Sequence, residues 1–305
     1  MSRGQSVPGV LDARSRVLQS IRGYFTSNAY IEVETPLRVP APALELHIDA
    51  VPCGESYLRT SPELYMKRLL TDGLDRIFEV GPCFRDGERG RLHEPEYTML
   101  EWYQKGINYD EIIEVTQSML THIATEVLGR NWLEYRGRRI ELAVPWYQIT
   151  VSDAFTQFAD WDPVRDFDED RFDLDLVEKI EPRLPVDRPV VLKDFPAQLA
   201  ALAKCREDAP HTAERWELYV GGIELANAYS ELTDAKEQRK RFEACREKRA
   251  ALGKPVYELD EEFLAALTEG LPECAGVALG VDRLVMLLTD ATHIKEVRVF
   301  CPYSR

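Results

Sequence analysis

Residues 76–103, RIFEVGPCFRDGERGRLHEPEYTMLEWY, set two β-forming runs, RIFEVGPCF and EPEYTMLEWY, on either side of RDGERGRLH, a connection crowded with arginines and acids. The runs predict an antiparallel pair joined by a long charged loop. A merely solvated loop would not need such flanks, and a core strand would not tolerate the charges. The stretch is therefore expected to line a site for a polar ligand.

Upstream, LRTSPELYMKRLL predicts a helix capped by Ser61 with Pro62 at its first position and Glu63 in its first turn, Leu64, Met66, Leu69 and Leu70 forming the apolar side. Earlier still, Leu18, Ile21 and Phe25 recur at helical spacing, and YIEVETP alternates like a strand until Pro36. Downstream, Ile112, Val115, Met119, Ile123 and Val127 mark a long helix. VSDAFTQFA reads as a short helix, PVVLKDFP as a buried strand, and DAKEQRKRFEACREKRAAL and EEFLAALTEG as further helices. GVALGVDRLVMLLTD reads as a strand running into an apolar helix. Hairpins with helices between them predict an α+β fold with a largely antiparallel sheet, occupying residues 1–305 as a single domain.

Composition narrows the function. Hydrophobic residues make up 45% and charged residues 30%, as in a soluble globular chain, and 38 basic against 53 acidic residues leave a net charge of -15. That balance argues against broad capture of nucleic acid or an anionic membrane while leaving room for a local basic groove. The acid-rich WDPVRDFDEDRFDLDLVEK at 161–179 lacks the glycine of a calcium loop and is expected to be an exposed loop and helix start. Cys53, Cys83, Cys205, Cys245, Cys274 and Cys301 form no CxxC pair, so reduced thiols are expected. MSRGQSVPGVLDARSRV has no signal-peptide core, and no apolar run reaches spanning length. A cytoplasmic protein is expected.

ERWELYVGGIELANAYSEL, residues 214–232, carries a two-residue hairpin signal at Gly221-Gly222. That turn pairs Val220 with Ile223, Tyr219 with Glu224 and Glu217 with Ala226, making Glu217 and Glu224 diagonal neighbours on one face. Such a pair can hold magnesium against substrate phosphates. Diagonal acids on an exposed hairpin are also common, and either Arg85 or Arg283 alone is more often a surface ion pair. Arg85 at a strand end and Arg283 at a helix start could both point into one cleft with those acids, where two guanidiniums would neutralise a triphosphate and position it for attack at the α-phosphorus.

TSPELYMKRLL, FRDGERGRLHEPEYTMLEWY, GIELANAYSELTDAKEQRKRF and GVALGVDRLVMLL resemble, in order, the catalytic domain of class II lysyl-tRNA synthetases, from about Leu11 to the C-terminus. The resemblance implies a class II aminoacyl-tRNA synthetase-like antiparallel sheet flanked by helices, a homodimer through YIEVETP, and condensation of lysine with ATP. It implies an ATP site of Arg85, Asp86, Gly87, Glu88, Glu94, Tyr97, Glu224, Leu225, Gly280 and Arg283, with Arg85 on the α-phosphate, Tyr97 against adenine and Arg283 across the ATP. Glu217 and Glu224 match the Mg2+ ligands. The amino-acid pocket carries over as Ser61, Glu63, Glu101, Tyr103, Asn227, Tyr229, Glu231 and Ala278, rich in acids as two substrate ammonium groups require. Strict alternation from Glu224 would put Asn227 on the wrong face, so a bulge is predicted between them.

The chain departs from the synthetases in three ways. The catalytic helix begins almost at the first residue, so no N-terminal anticodon-binding OB domain is expected. The RxE of the second motif reads Arg85-Asp86-Gly87 before Glu88, and Glu94 replaces the usual Asn. Ala278 and Ala228 stand where glycines are usual, and an added methyl at a pocket wall can favour a differently branched amine. Together these look closest to the elongation factor P (R)-β-lysine ligases, which implies (R)-β-lysine or lysine as substrate and elongation factor P, not tRNA, as acceptor. A shortened synthetase charging tRNA and a non-catalytic regulatory paralogue are the alternatives; Arg85, Glu217, Glu224 and Arg283 together argue against the second.

Overall fold

A computed structural model describes residues 7–143 and 145–301. Its main sheet contains β1 (Ile31–Glu32), β2 (Arg76–Phe84), β3 (Glu96–Lys105), β4 (Tyr147–Thr150), β5 (Val190–Pro196), β6 (Thr212–Val220), β7 (Ile223–Ser230) and β8 (Cys274–Gly280). The spatial order is β1-β2-β3-β8-β7-β6-β5-β4. Every pair from β2 to β5 in that order is antiparallel, and only the outer pairs β1–β2 and β4–β5 are parallel. The expected antiparallel core is present, with a parallel strand added at each edge. YIEVETP contributes far less strand than its alternation predicts, since only Ile31 and Glu32 pair. Beyond them the Val33 N–H still donates to the Phe78 carbonyl at 2.9 Å, and buried side chains then take over: Arg59 donates to Glu79 at 2.5 Å and to the Thr35 hydroxyl at 2.6 Å, and Thr35 donates to Glu79 at 2.8 Å.

The strands separate two environments by simple alternation. Leu100 and Trp102 of β3, Val277 and Leu279 of β8, Ala226 and Ala228 of β7, and Trp216 and Leu218 of β6 face one core. Helices α1 (Val7–Ser27), α3 (Glu111–Leu128) and α8 (Val281–Leu288) cover that core with Val17, Ile21, Phe25, Met119, Ile123, Val285 and Met286. Asp282 of α8 locks these layers, accepting from Arg14 at 2.6 Å and from the Thr98 backbone N–H at 2.7 Å.

On the opposite face, α2 (Glu63–Thr71), α6 (Ala235–Ala251) and α7 (Glu261–Gly270) enclose a second core containing Leu64, Met66, Leu70, Ile77, Tyr103, Phe242 and Phe263. Pro62 flanks α2 at helical dihedrals, and the Ser61 hydroxyl accepts from the Glu63 N–H at 2.9 Å, as the sequence predicts for its start. A third cluster gathers α4 (Val151–Ala159) and α5 (Glu169–Asp175) on β5 through Phe155, Phe172 and Phe195. The acidic 161–179 stretch supplies α5, with Asp168 capping it by accepting from the Arg171 N–H. All six cysteines are free.

Candidate active site

The Gly221-Gly222 turn closes the β6–β7 hairpin with both glycines at positive φ, and the first two pairs are Val220–Ile223 and Tyr219–Glu224. The register then shifts, and the next pairs are Leu218–Ala226 and Glu217–Asn227. Glu217 thus faces Asn227, correcting the expected Ala226 partner. The extra residue is Leu225, the bulge that Glu224 and Asn227 required. Past it, strict alternation places Asn227, Tyr229 and Glu231 together and turns Ala228 to the other face. Ala228 is packed in the helix-covered core opposite Trp216 and Val277, so it is no pocket wall.

Cross-strand register then builds the site in rows. One row runs Glu79, Glu101, Ala278, Asn227, Glu217 from β2 to β6, and the next runs Tyr103, Gly276, Tyr229, Arg215 from β3 to β6. Gly276 is required by close approach: a Cβ there would stand 2.3 Å from the Tyr103 ring and 2.6 Å from a Glu231 oxygen. The methyl of Ala278, one row away, fits between its neighbours and faces the site.

Two joined cavities result. An inner chamber of about 60 Å³ is lined by every residue implied for the amino-acid pocket: Ser61, Glu63, Glu101, Tyr103, Asn227, Tyr229, Glu231 and Ala278. An outer cleft of about 270 Å³ is lined by Arg85, Glu88, Glu94, Tyr97, Glu224, Leu225, Gly280 and Arg283 among others. Asp86 and Gly87 do not line it, in contrast to the site implied by resemblance; the Asp86 N–H donates to the Asp49 carbonyl at 2.7 Å and Gly87 takes positive φ in the turn. Glu217 is buried beneath the cleft wall rather than lining it.

The chamber is closed upon itself. Glu101 accepts from Tyr103 at 2.6 Å and from Ser61 at 3.0 Å. Lys67, fully buried one turn after Glu63, lies 2.6 Å from Glu63 and 2.5 Å from Glu231. Burial, reinforced by the Glu63 charge, pushes the Glu101 carboxyl up to about 8. Burial outweighs the attraction of Lys67 and pushes Glu231 up to about 8 as well. Lys67, drawn by its two carboxylates, is raised despite its own burial and stays charged.

The outer cleft is looser. The buried Nε of Arg85 has no hydrogen-bond partner among the described residues, and its nearest acid, Glu88, is 3.5 Å away. Tyr97 places its ring 5.2 Å below the Arg85 guanidinium and donates its hydroxyl to the Thr60 carbonyl at 2.8 Å. Arg283 donates to the Glu224 carbonyl at 2.7 Å, approaches its carboxylate at 3.3 Å, and meets His93 Nε2 at 2.7 Å. Burial and then the Arg283 charge lower His93, keeping it neutral. Glu217 accepts from Arg215 at 2.6 Å and Tyr219 at 2.8 Å, and Tyr219 also reaches Glu181 at 3.3 Å. Burial first, with the Glu224 and Glu181 charges adding, pushes Glu217 up to about 7.

A buried Glu217 carboxyl raised further by the Glu224 charge is the electrostatic condition a cation relieves. Each Glu217 oxygen keeps lone pairs beyond the bonds it accepts, so Glu217 and Glu224 fit a magnesium ion completed by phosphate oxygens. Among the described residues no group of three His, Cys, Asp or Glu side chains is disposed to hold a metal unaided.

No role was expected of Lys67, His93, Arg215 or Glu45, all of which the fold brings to the site. Two carried a signal: Lys67 is four residues after Glu63 on the same helix face, and Arg215 is two before Glu217 on the same strand face.

Comparison with known proteins agrees with this architecture. The profile of the tRNA synthetases class II (D, K and N) matches residues 1–303. An elongation factor P--(R)-beta-lysine ligase of Hamiltonella defensa subsp. Acyrthosiphon pisum (strain 5AT) is 39% identical over 94% of this chain and 93% of that protein. One from Proteus mirabilis (strain HI4320) is 38% identical over 95% of this chain and 94% of that protein. A lysine--tRNA ligase of Chromohalobacter salexigens is 35% identical over 95% of this chain, which spans 63% of that protein's length. With a family match across almost all of its residues and relatives above one-third identity, the chain belongs to the class II tRNA synthetases (D, K and N), a family of ligases.

Proposed function

We propose that the chain condenses (R)-β-lysine, or lysine, with ATP to an acyl-adenylate and transfers the acyl group to a lysine ε-amine of elongation factor P. The observation that carries the substrate class is the acid-lined chamber of Glu63, Glu101 and Glu231, opening into a cleft flanked by two arginines. A diamino acid places an ammonium among buried carboxyls and its own carboxylate toward the cationic cleft. The similarity to two elongation factor P ligases over more than nine-tenths of their length supports the acceptor.

In this reading the substrate carboxylate attacks the α-phosphorus and pyrophosphate leaves; the deprotonated acceptor amine then attacks the acyl carbon and AMP leaves. Arg85 offers its unpartnered donor to the α-phosphate and Arg283 approaches from the opposite wall. Magnesium, held by Glu217 and Glu224, would offset the charge of the triphosphate. Tyr97 offers its ring to adenine, and Glu88, Glu94, Leu225 and Gly280 complete the nucleotide wall. Ala278 is the position at which a methyl shapes the chamber, and one such group is worth about 1–3 kcal/mol of discrimination. We place the protein in the cytoplasm as a homodimer; among the described residues no helix is long and apolar enough to cross a membrane.

The test is a competition: purified protein, ATP, magnesium and (R)-β-lysine with elongation factor P and tRNA(Lys) together. Intact mass of the factor and acid-gel analysis of the tRNA are the readouts. A mass gain on the factor alone is expected. Charging of tRNA alone would make the chain a tRNA ligase, and no product on either would leave a non-catalytic paralogue.

A further inference from the structure

Chamber and cleft meet at Glu45, which lines both. It lies between Val39 and Pro52 in a segment without helix or strand, yet that segment is held hard in place. Arg249 of α6, fully buried, donates to the carbonyls of Glu45 at 2.6 Å, Ile48 at 2.9 Å and Leu46 at 3.3 Å, and to the Asp49 carboxylate at 2.5 Å. The Ala50 N–H donates to the Tyr257 hydroxyl at 2.8 Å. Burying a guanidinium is costly unless its donors are used, and here they fix the backbone at Glu45 and through the residues that follow it.

None of those bonds uses the Glu45 carboxyl itself. Among the described residues no hydrogen bond closes on it; its electrostatic neighbours are Arg85, Glu63, Arg215 and Glu88.

The following step rests on the proposed function. A diamino acid whose distal ammonium occupies the chamber and whose carboxylate reaches Arg85 has its second amine at the mouth between the cavities. At that mouth Glu63 already has Lys67 on one oxygen, whereas the Glu45 carboxyl, on a backbone held in place, accepts no hydrogen bond among the described residues and has Arg85 as its leading electrostatic neighbour. We propose that Glu45 binds the amine nearest the reacting carboxyl and thereby selects diamino acids over ω-amino acids that carry only the distal amine. A site built around a polar group rejects ligands lacking it, because its own buried partner is then left unsatisfied.

The experiment compares wild type, Glu45→Gln and Glu45→Asp by ATP–pyrophosphate exchange with (R)-β-lysine and lysine. Calorimetric titration adds the same ligands and 6-aminohexanoic acid, which keeps the carboxyl and distal amine of lysine but lacks the near one. For Glu45→Gln, KM and Kd for the diamino acids should rise on the order of 10²-fold, with KM for ATP and affinity for 6-aminohexanoic acid unchanged. Glu45→Asp should recover part of the loss. Unchanged diamino-acid affinity overturns the proposal, as does an equal loss for 6-aminohexanoic acid, which would put Glu45 at the carboxyl or in the scaffold. Unchanged ATP kinetics also report a folded variant. Wild type that exchanges with neither diamino acid strikes the proposed function instead, while the titrations still compare the two ligand types at Glu45.

Discussion

The inner chamber and the outer cleft share walls but treat charge in opposite ways. In the chamber, Lys67 lies against Glu63 and Glu231, and Tyr103 and Ser61 donate to Glu101. In the cleft, Arg85 keeps a buried donor without a partner and Arg283 leans on a carbonyl and a neutral histidine. A closed network is rigid and discriminating because every member depends on the others. An open one is completed by its ligand, and the buried Arg85 donor that lacks an acceptor fits an anion. The comparison teaches that one end of the site is held by the protein and the other by what enters it.

Removing Lys67 should break the comparison most severely. Lys67→Met leaves Glu63 and Glu231 facing each other without a cation, and losing one partner of a buried ion pair costs about 3–5 kcal/mol. Denaturant unfolding at pH 7.5 should register that loss, and adding Glu231→Gln should recover part of it. Unaltered stability would mean the chamber is not the closed network described.

Arg85→Ala should behave in the opposite manner. Among the described residues its one ion pair is the 3.5 Å contact with Glu88, so unfolding should change little, whereas pyrophosphate exchange should fall roughly 10²- to 10³-fold, as for loss of one preorganised donor to a developing charge. A large stability loss with modest kinetic change would invert the assignment of the two regions.

The smallest effect is the pH dependence, which sharpens the contrast. Glu101 and Glu231, raised from 4.5 to about 8, are largely protonated at pH 7, and an incoming ammonium favours their anions. Affinity for lysine should therefore strengthen from pH 6 to about 8, by up to about tenfold per unit for one proton released. Calorimetry in buffers of different ionisation enthalpy reads that proton, and Glu101→Gln should flatten the slope. For the empty protein the sign is reversed: these carboxyls hold more protons folded than unfolded, so their contribution to stability is complete below pH 4.5 and is lost as pH rises toward 8.

Much of the fold was legible because it depends on short-range periodicity. Ser61-Pro62 and the apolar spacing behind them placed α2, and Gly221-Gly222 placed the hairpin, since only residues tolerant of positive φ make that turn. Alternation grouped Glu101 with Tyr103 and Asn227 with Tyr229 and Glu231, and the bulge at Leu225 followed from their conflict with Glu224. The same alternation already turned Ala228 away from the site. YIEVETP misled because an alternating run becomes ladder only where a neighbouring strand offers it an edge, here at Ile31 and Glu32.

By itself, then, the sequence determined the strands, the helix starts and the side-chain faces, all set by interactions a few residues long. Tertiary structure alone decided that Lys67 meets Glu231 from 164 residues away in the chain, that Arg215 lies over the Tyr229 ring of the neighbouring strand, and that Arg249 pins Glu45 from 204 residues away. Burial is the reason. A charge removed from water must find a partner wherever the fold supplies one, and no local pattern encodes which distant group that will be.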